Sequence, residues 1–242
     1  MAISYLTNEN IDIKKWDKCI KKAFNGTIYA YSWYLNIVSK GWGALIEGDY
    51  EKVMPLPQTR IAGIDILTQP KLTGHLGVFS TTTITEAVLR AFFDEIPPYF
   101  RYTKIKLNKH NQMQNTTSHQ NPLVSLDFDL IKPYLKVKES YPEPLQILLD
   151  AASSLKMNVV PQISAEKITE LKKKHFAFQS NAATEELLAM QLLVTTATNN
   201  KVGQLCGVVG PDDKVYALGF LCGRIKKPRW FFISHNTRNW SL

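Results

Sequence analysis

Two short polar turns, each between two apolar segments, constrain the fold of this chain more than any other feature of its sequence. The turn Gly48-Asp49-Tyr50 separates residues 42–47 from residues 52–57, and both flanking segments have the composition of β-strands. A connection this short can only reverse the chain between neighbouring antiparallel strands. The sequence therefore predicts a β-hairpin in the first part of the chain.

A second turn of this kind lies near the end of the sequence. Gly210-Pro211-Asp212-Asp213 joins residues 204–209 to residues 214–223, and a further apolar segment follows at 229–234. Together these segments predict an antiparallel meander of three strands. Further short extended segments are predicted at 64–68, 76–79, 102–107 and 123–128.

Apolar residues at helical spacing predict helices in the first part of the chain. Ile13, Trp16 and Ile20 recur at this spacing behind Asp12, a candidate N-cap, and a second short helix is predicted over 32–38. The remaining faces of the first helix carry Lys14, Lys15, Lys18, Lys21 and Lys22. This distribution predicts an amphipathic helix at the surface.

Further helices are predicted from their capping residues. Thr83 and Glu86 form a candidate capping box ahead of an apolar stripe. In the second half, residues 145–155 have helical periodicity, and Ser164 and Thr184 are candidate N-caps of two more helices. Each half thus combines helices with short strands.

A polar connection divides the chain near its middle. Residues 130–142 include Pro133 and Pro142, and we interpret them as a boundary between a domain at 1–130 and a domain at 131–242. The second part holds 15 Lys and Arg against 9 Asp and Glu. Any electrostatic role is therefore expected to depend mainly on the second part.

The composition excludes several classes of protein. With 242 residues, 45% hydrophobic and 21% charged, the chain is unlike disordered, collagen-like or coiled-coil sequences. A net charge of +8 permits an anionic partner such as a nucleotide, a coenzyme or RNA. No segment reaches the about 20 apolar residues of a membrane helix, and residues 1–22 are amphipathic and lysine-rich, so we expect a cytoplasmic protein.

The common catalytic motifs are absent from the sequence. None of the five histidines lies in an HxH or HExxH pattern, so no metal site is predicted. There is no GxSxG motif, and Cys19, Cys206 and Cys222 are expected to be core thiols. Gly41-Trp42-Gly43 supplies only part of a dinucleotide-binding pattern. A Rossmann or P-loop enzyme is therefore not predicted.

Three features remain as candidates for function. The aromatic run Tyr29, Tyr31, Trp33 and Tyr34 suits either stacking on a flat substrate or packing in the core. His75 lies in a polar turn at 69–75, where it faces a substrate or is an ordinary loop histidine. The basic runs at 172–174 and 224–229 bind an anion or are simply solvated.

Several of these segments resemble one family. The resemblance rests on Asn25-Gly26-Thr27-Ile28-Tyr29-Ala30-Tyr31-Ser32-Trp33-Tyr34-Leu35, Glu47-Gly48-Asp49-Tyr50, Met54-Pro55-Leu56-Pro57 and Gln69-Pro70. In these segments, and over most of its length, the chain resembles FemAB-like proteins of the acyl-CoA N-acyltransferase (GNAT) fold, in particular uncharacterised Bacteroidetes members. Residues 201–235 resemble the second-domain meander of that family.

The resemblance implies a fold and an activity. The implied fold is α/β (α+β), with tandem GNAT-like domains whose mixed, mostly antiparallel sheets are flanked by helices. The implied activity is transfer of an acyl or aminoacyl group from acyl-CoA or aminoacyl-tRNA to an amine, such as that of a cell-wall precursor. Trp33, Tyr34, Gln69 and Lys71 are then expected to line the acceptor site, with His75 as the catalytic base.

Departures from the family leave other functions open. The sequence ends soon after the third strand of the meander, and no Gln/Arg-x-x-Gly-x-Gly/Ala loop is present to hold a coenzyme A pyrophosphate. We therefore expect an incomplete second domain whose open strand edge favours a homodimer, and we assign no resident cofactor. A non-catalytic GNAT-fold binding module and an RNA-binding protein are the alternatives.

Overall fold

The computed structural model describes residues 2–113, 132–175 and 181–223. Within these ranges the chain is a mixed α/β protein in which helices flank several antiparallel sheets, which confirms the predicted fold class at this level. The helices are α1 (Ile13–Lys22), α2 (Ser32–Val38), α3 (Glu86–Asp94), α4 (Tyr134–Glu139), α5 (Glu143–Ser154), α6 (Glu166–His175) and α7 (Asn181–Asn199). The strands are β1 (Ile3–Leu6), β2 (Gly43–Glu47), β3 (Lys52–Leu56), β4 (Gln58–Ile61), β5 (Ile64–Thr68), β6 (Phe79–Ser80), β7 (Thr103–Lys104), β8 (Asn158–Val160), β9 (Gly203–Val209) and β10 (Val215–Cys222).

The first sheet contains the hairpin predicted from the turn at Gly48. Its order is β1-β2-β3-β6, and all neighbouring strands are antiparallel. Strands β2 and β3 pair from Gly43 opposite Leu56 to Glu47 opposite Lys52. The hairpin prediction is therefore confirmed. The extended segment expected at 76–79 pairs as β6 over only two residues.

The second sheet, of order β4-β5-β7, includes a strand that the sequence did not predict. β4 and β5 form a hairpin around Ala62 and Gly63, which both have positive φ, as a two-residue hairpin turn requires. β4 was missed because its residues are polar or exposed and show no apolar alternation. β7 pairs with β5 in parallel and is shorter than the segment expected at 102–107.

The third sheet has the order β10-β9-β8, in which β9 and β10 confirm the first two strands of the predicted meander. Its third described strand is β8, which pairs with β9 and was not predicted. The strands predicted at 123–128 and 229–234 lie outside the described residues, and so does the edge on which the expected homodimer depends.

Strand β2 lies between two hydrophobic cores. Its alternate residues point to opposite faces, so Ala44 and Ile46 join the first core while Leu45 joins the second. The first core contains Trp16 and Trp42, whose ring centroids lie 4.7 Å apart. The second is formed with α3 and holds Met54, Leu56, Leu89 and Phe92.

The first core also joins the two predicted halves of the chain. Leu187, Met190 and Val194 of α7 are buried in it together with Tyr34 and Leu35 of α2. Residues of β9 and β10, Leu205 and Phe220, belong to the same cluster. The division at residues 130 and 131 stays a prediction, and the described residues on either side of it share buried apolar surface.

The structure confirms the predicted N-cap Asp12 and shows that Thr83 and Thr184 are not N-caps. Asp12 is the N-cap of α1, where its carboxylate accepts hydrogen bonds from the backbone N–H groups of Lys14 (3.0 Å) and Lys15 (3.1 Å). The cap of α3 is Thr85 and not Thr83. α7 begins at Asn181, so Thr184 lies inside that helix and is not its cap.

Packing explains the shifted start of α3. With Thr85 as N-cap, the preceding Ile84 and the fourth helical residue Leu89 both belong to the second core, the arrangement of a hydrophobic staple. Glu86 is then the first residue of the helix, and its carboxylate binds the guanidinium of Arg90 one turn later at 2.5 Å. The apolar contact therefore decides the start of this helix.

The start of α2 depends on a carboxylate in α1. Asp17 accepts hydrogen bonds from the backbone N–H (2.8 Å) and the hydroxyl (2.7 Å) of Ser32, the first residue of α2. Burial raises the pKa of Asp17, and the two hydrogen bonds from Ser32 oppose the rise. A negative charge at this end also interacts favourably with the helix dipole. Asp17 thus ties the first residue of α2 to α1.

We expect Asp17→Asn to change how stability depends on pH. Because the folded pKa is raised above the unfolded one, the folded state binds the proton more tightly, so stability falls as pH rises from the ordinary aspartate pKa through the raised folded value. Denaturant unfolding from about pH 4 to about pH 7 should show this fall in the wild type and a smaller one in the variant. The exposed Asp49→Asn is the control, and a difference between wild type and Asp17→Asn that is flat across this range would contradict the prediction.

Three buried asparagines hold the segment 76–80. Asn25 donates to the carbonyl of Val78 (2.8 Å) and accepts from the N–H of Ser80 (3.3 Å). Asn111 accepts from the N–H of Val78 (2.6 Å), and Asn108 donates to the carbonyl of Leu76 (3.1 Å). All three side chains are about 5% exposed or less. They supply hydrogen bonds to buried backbone groups, and the Val78 carbonyl accepts from both Asn25 and Asn111.

We expect Asn25→Ala to destabilise the protein by about 1–3 kcal/mol, because it removes the side-chain acceptor of the buried Ser80 N–H, while the Val78 carbonyl keeps its hydrogen bond from Asn111. The exposed Asn10→Ala is the matched control, and its effect should stay below about 0.5 kcal/mol. Chemical denaturation of both variants measures the difference. Equal losses in the free energy of unfolding would show that the buried Asn25 amide stabilises the protein no more than an exposed one, which would contradict the prediction.

Candidate functional site

The residues predicted as a site lie on or beside one loop, residues 69–75, where two parallel strands separate. β5 and β7 pair at Leu67 with Thr103 and at Thr68 with Lys104. The chain then leaves the neighbouring strand and rejoins it at Leu76, whose N–H donates to the carbonyl of Lys106 (2.8 Å). The loop 69–75 is therefore an excursion between two contacts with the same extended segment.

Gln69 fills the place where the two strands part. Its backbone N–H donates to the carbonyl of Lys104 (2.9 Å). Its side-chain oxygen accepts from the N–H of Lys106 (3.1 Å), and its side-chain nitrogen donates to the carbonyl of Thr73 (3.3 Å). The amide thus continues the pattern of the strand ladder and closes the loop upon itself.

The middle of the loop is held by Tyr34 of α2. Its hydroxyl donates to the carbonyl of Leu72 at 2.5 Å. Leu72 has φ +63°, a left-handed conformation that costs a non-glycine residue roughly 1–2 kcal/mol. Burial is the main cause that raises the pKa of Tyr34, and Tyr29 and Cys222 add to it. The tyrosine is therefore a neutral hydrogen-bond donor that supports a strained backbone.

A chain of aromatic contacts leads from α2 to His75. The ring of Trp33 meets Tyr34 at 5.4 Å, Tyr34 meets Tyr29 at 5.5 Å and Tyr29 meets His75 at 5.7 Å, each edge to face. Tyr29 also presses on the loop, since a side chain at Gly74 would come within 2.6 Å of its hydroxyl oxygen. His75 is half-buried at the end of this chain.

Lys71 connects the loop to α7. Its ammonium lies 3.2 Å from the carboxylate of Glu186, and the lysine side chain is 64% exposed. An ion pair this exposed is screened by water and contributes little to stability. The ion pair places the Lys71 ammonium on the side of the loop that faces α7.

The buried thiols of Cys19 and Cys222 are held in the protonated form. Burial raises the pKa of Cys222 to about 12, although the N–H of Gly223 lowers it, and burial raises the pKa of Cys19 to about 11. Both cysteines are buried in the first core, as the sequence analysis expected. Because only the thiolate is a strong nucleophile, neither residue is suited to covalent catalysis.

The structure thus brings together all five residues that the sequence nominated as a site. Gln69, Lys71 and His75 lie on the loop, Tyr34 binds its backbone, and Trp33 packs on Tyr34. Leu72 and Glu186 also belong to the site but were not predicted. No local signal marks either residue, since Leu72 is defined by its backbone angle and Glu186 is distant in sequence.

Other sequence candidates lie away from this loop or outside the description. Tyr31, from the same aromatic run, is partly buried against the first core, which favours packing over stacking at that position. The basic run at 224–229 lies outside the described residues, as do the side chains of 172–174. Among the residues that the structure describes, no three His, Cys, Asp or Glu side chains are grouped as metal ligands. None of the described helices has the length and apolar character to cross a bilayer.

No protein-family model, curated protein or solved structure matches this chain. The side chains of the site are therefore the guide to its chemistry. It combines neutral donors, one exposed lysine and one histidine, and histidine is the side chain whose ordinary pKa lies nearest neutrality. Such a set suits binding and proton transfer better than nucleophilic attack by the protein.

We expect Tyr34→Phe to loosen the loop 69–75. The substitution removes the hydrogen bond to Leu72 while keeping the ring, so stability should fall by about 1 kcal/mol. Amide hydrogen exchange should accelerate within 69–75 and stay unchanged in α1. Tyr102→Phe, at a half-exposed tyrosine on the surface, is the control. Unchanged exchange in the loop would mean that other contacts hold Leu72 in place.

Proposed function

We propose that this protein is an N-acyltransferase of the FemAB-like type, with two tandem GNAT-like domains at 1–130 and 131–242. It would transfer an acyl or aminoacyl group from acyl-CoA or aminoacyl-tRNA to an amine, such as that of a cell-wall precursor. The sequence resemblance motivates this proposal. The mixed sheets flanked by helices are compatible with it.

The observation that carries the proposal is the separation of β5 and β7 at the loop 69–75. Acyl transfer needs N–H groups directed at the developing oxyanion of the donor carbonyl. Where the strands part, the N–H of Lys106 is directed at the side-chain oxygen of Gln69 and not at a neighbouring strand. A donor carbonyl that displaced the Gln69 amide would receive the same hydrogen bond.

The reaction assigns a role to His75. The acceptor amine attacks the donor carbonyl, a C–N bond forms, and the amine must lose a proton as the bond to the leaving group breaks. His75, half-buried beside the loop, would take that proton, and the leaving thiol or hydroxyl would be protonated in turn. Lys71 would contact an anionic part of the acceptor, while Trp33 and Tyr34 would shape the wall behind it.

One observation favours a non-catalytic binding module instead. Tyr34 and Gln69 already make hydrogen bonds within the protein, and Lys71 already pairs with Glu186. A site whose polar groups are satisfied internally needs no substrate to complete it. The missing pyrophosphate-binding loop points the same way, since backbone N–H groups of such a loop would hold the coenzyme.

Parallel binding measurements separate these functions. Calorimetry with acetyl-CoA, a UDP-linked cell-wall precursor and tRNA should give a micromolar dissociation constant for at least one donor or acceptor if the protein is a transferase. Binding of any of them, followed by transfer to an amine, supports the proposal. No binding of all three ligands contradicts it and leaves the binding module as the better function.

Two variants test the assigned roles. His75→Gln should lower turnover by about 10²–10⁴-fold, the usual contribution of a general base, while ligand binding is retained. Lys71→Gln should weaken binding of an anionic acceptor, and Lys40→Gln, at an exposed lysine outside the site, should not. Full activity of His75→Gln would remove the histidine from the mechanism.

A further inference from the structure

The outer face of α1 carries a stripe of lysines. Lys14, Lys18, Lys21 and Lys22 are all exposed. At 3.6 residues per turn they fall within an arc of about 100° and extend about 12 Å along the helix. The opposite face of the helix is buried through Trp16, Cys19 and Ile20. We refer to these four lysines as the lysine stripe.

The charges of the lysine stripe are not neutralised by described residues. The neighbouring Lys15 pairs with Asp49 at 2.5 Å, but none of the four stripe lysines forms an ion pair with a residue in the described ranges. Like charges three and four residues apart destabilise an isolated helix. The helix dipole compensates Lys21 and Lys22 in the last turn, but not Lys14 and Lys18. The stripe is therefore unfavourable for the helix itself.

An exposed aromatic side chain lies at the C-terminal end of the lysine stripe. Phe24 follows the last residues of α1 and is 45% exposed. Its ring meets the imidazole of His110 at 5.1 Å with an interplanar angle of 78°, so the histidine contacts it edge to face. Lys109, next to His110, is also exposed. A row of positive charges thus ends at an aromatic ring.

We propose that the lysine stripe and Phe24 bind a single-stranded nucleic acid, with phosphates along α1 and an unpaired base stacked on Phe24. Positive side chains that track a backbone, with aromatic rings for the bases, are the two elements of single-strand binding. An anionic membrane is the less suitable partner, because the apolar face of α1 is buried in the core and cannot enter a bilayer. This surface shares no residue with the loop 69–75, and the inference does not depend on the proposed acyltransferase activity.

Fluorescence anisotropy with a short labelled oligo-uridine RNA tests the lysine stripe. The double variant Lys18→Gln/Lys22→Gln is compared with Lys132→Gln/Lys136→Gln, which removes the same charge at two exposed lysines elsewhere. The stripe variant should bind more weakly and should reduce the slope of log affinity against log salt concentration by about 1.4. The matched pair should leave both quantities close to the wild type.

Phe24→Ala tests the stacked base through the affinity and its salt dependence, which should respond differently from those of the lysine variants. Loss of one stacking interaction should weaken binding about 5- to 150-fold while the salt slope stays unchanged. Tyr134→Ala, at an exposed aromatic residue on α4, is the control. Thermal unfolding should show every variant to be folded, with the stripe variant at least as stable as the wild type because it removes repulsion between like charges.

Four results would overturn the proposal. The first is absence of oligonucleotide binding, and the second is an equal effect of the two lysine pairs, which would mean that net charge alone attracts the RNA. The third is unchanged affinity of Phe24→Ala. Tighter binding of a duplex of the same length would have the same meaning, since a paired base cannot stack on Phe24. The fourth is binding of phosphatidylserine vesicles that depends on the stripe while the oligonucleotide does not bind, which would assign this face to a membrane surface.

Discussion

The position of the whole site depends on how the buried backbone of residues 76–80 is satisfied. β6 pairs with β3 at only two positions, Val53 with Phe79 and Lys52 with Ser80, so a neighbouring strand supplies few of its hydrogen bonds. Amide side chains supply much of the rest, beside backbone hydrogen bonds that Leu76 makes with Lys106 and Asn108 and that Ser80 makes with Phe24. A buried amide is suited to this task, because it donates and accepts in one plane and mimics a strand edge without adding charge.

The hydrogen-bond network of the three buried asparagines also restricts the side chains around it. Gly77 has φ +112°, and a Cβ at this position would come within 2.2 Å of the Asn111 side-chain oxygen. Only glycine combines that backbone angle with so close an approach. The network joins the turn after α1 to the segment after β7. With the far end of the loop 69–75 fixed in this way and its near end closed by Gln69, Tyr34 can hold Leu72 in a strained conformation.

Local signals were sufficient to predict much of this fold. Asp12 marks α1, and the turn at Gly48 marks the first hairpin, because both features act through neighbours in sequence. β4 and β8 were missed since each is a short strand defined by its partner. For the same reason the capping-box pattern wrongly indicates Thr83, since the contact of Ile84 and Leu89 with the second core accompanies a start after Thr85.

The candidate site shows the same division between local and long-range information. Its loop was predicted correctly as a polar turn between extended segments, and the five residues nominated there do converge. The pairing of Lys71 with Glu186 could not be predicted, because it depends on how α7 packs on α2. Neither could the left-handed backbone of Leu72, because a leucine carries no local preference for it.

Burial separates the electrostatic character of the site from that of the surface. Around the loop, burial keeps the hydroxyl of Tyr34 and the thiol of Cys222 protonated, so these groups can donate hydrogen bonds but carry no charge. Along α1 the lysines stay in water, where a charge costs little and attracts anions over about a Debye length. A partner drawn by charge would therefore meet α1, whereas a molecule at the loop would be selected by shape and hydrogen bonds. Of the side chains at the loop, His75 is the one whose residue type has an ordinary pKa near neutrality.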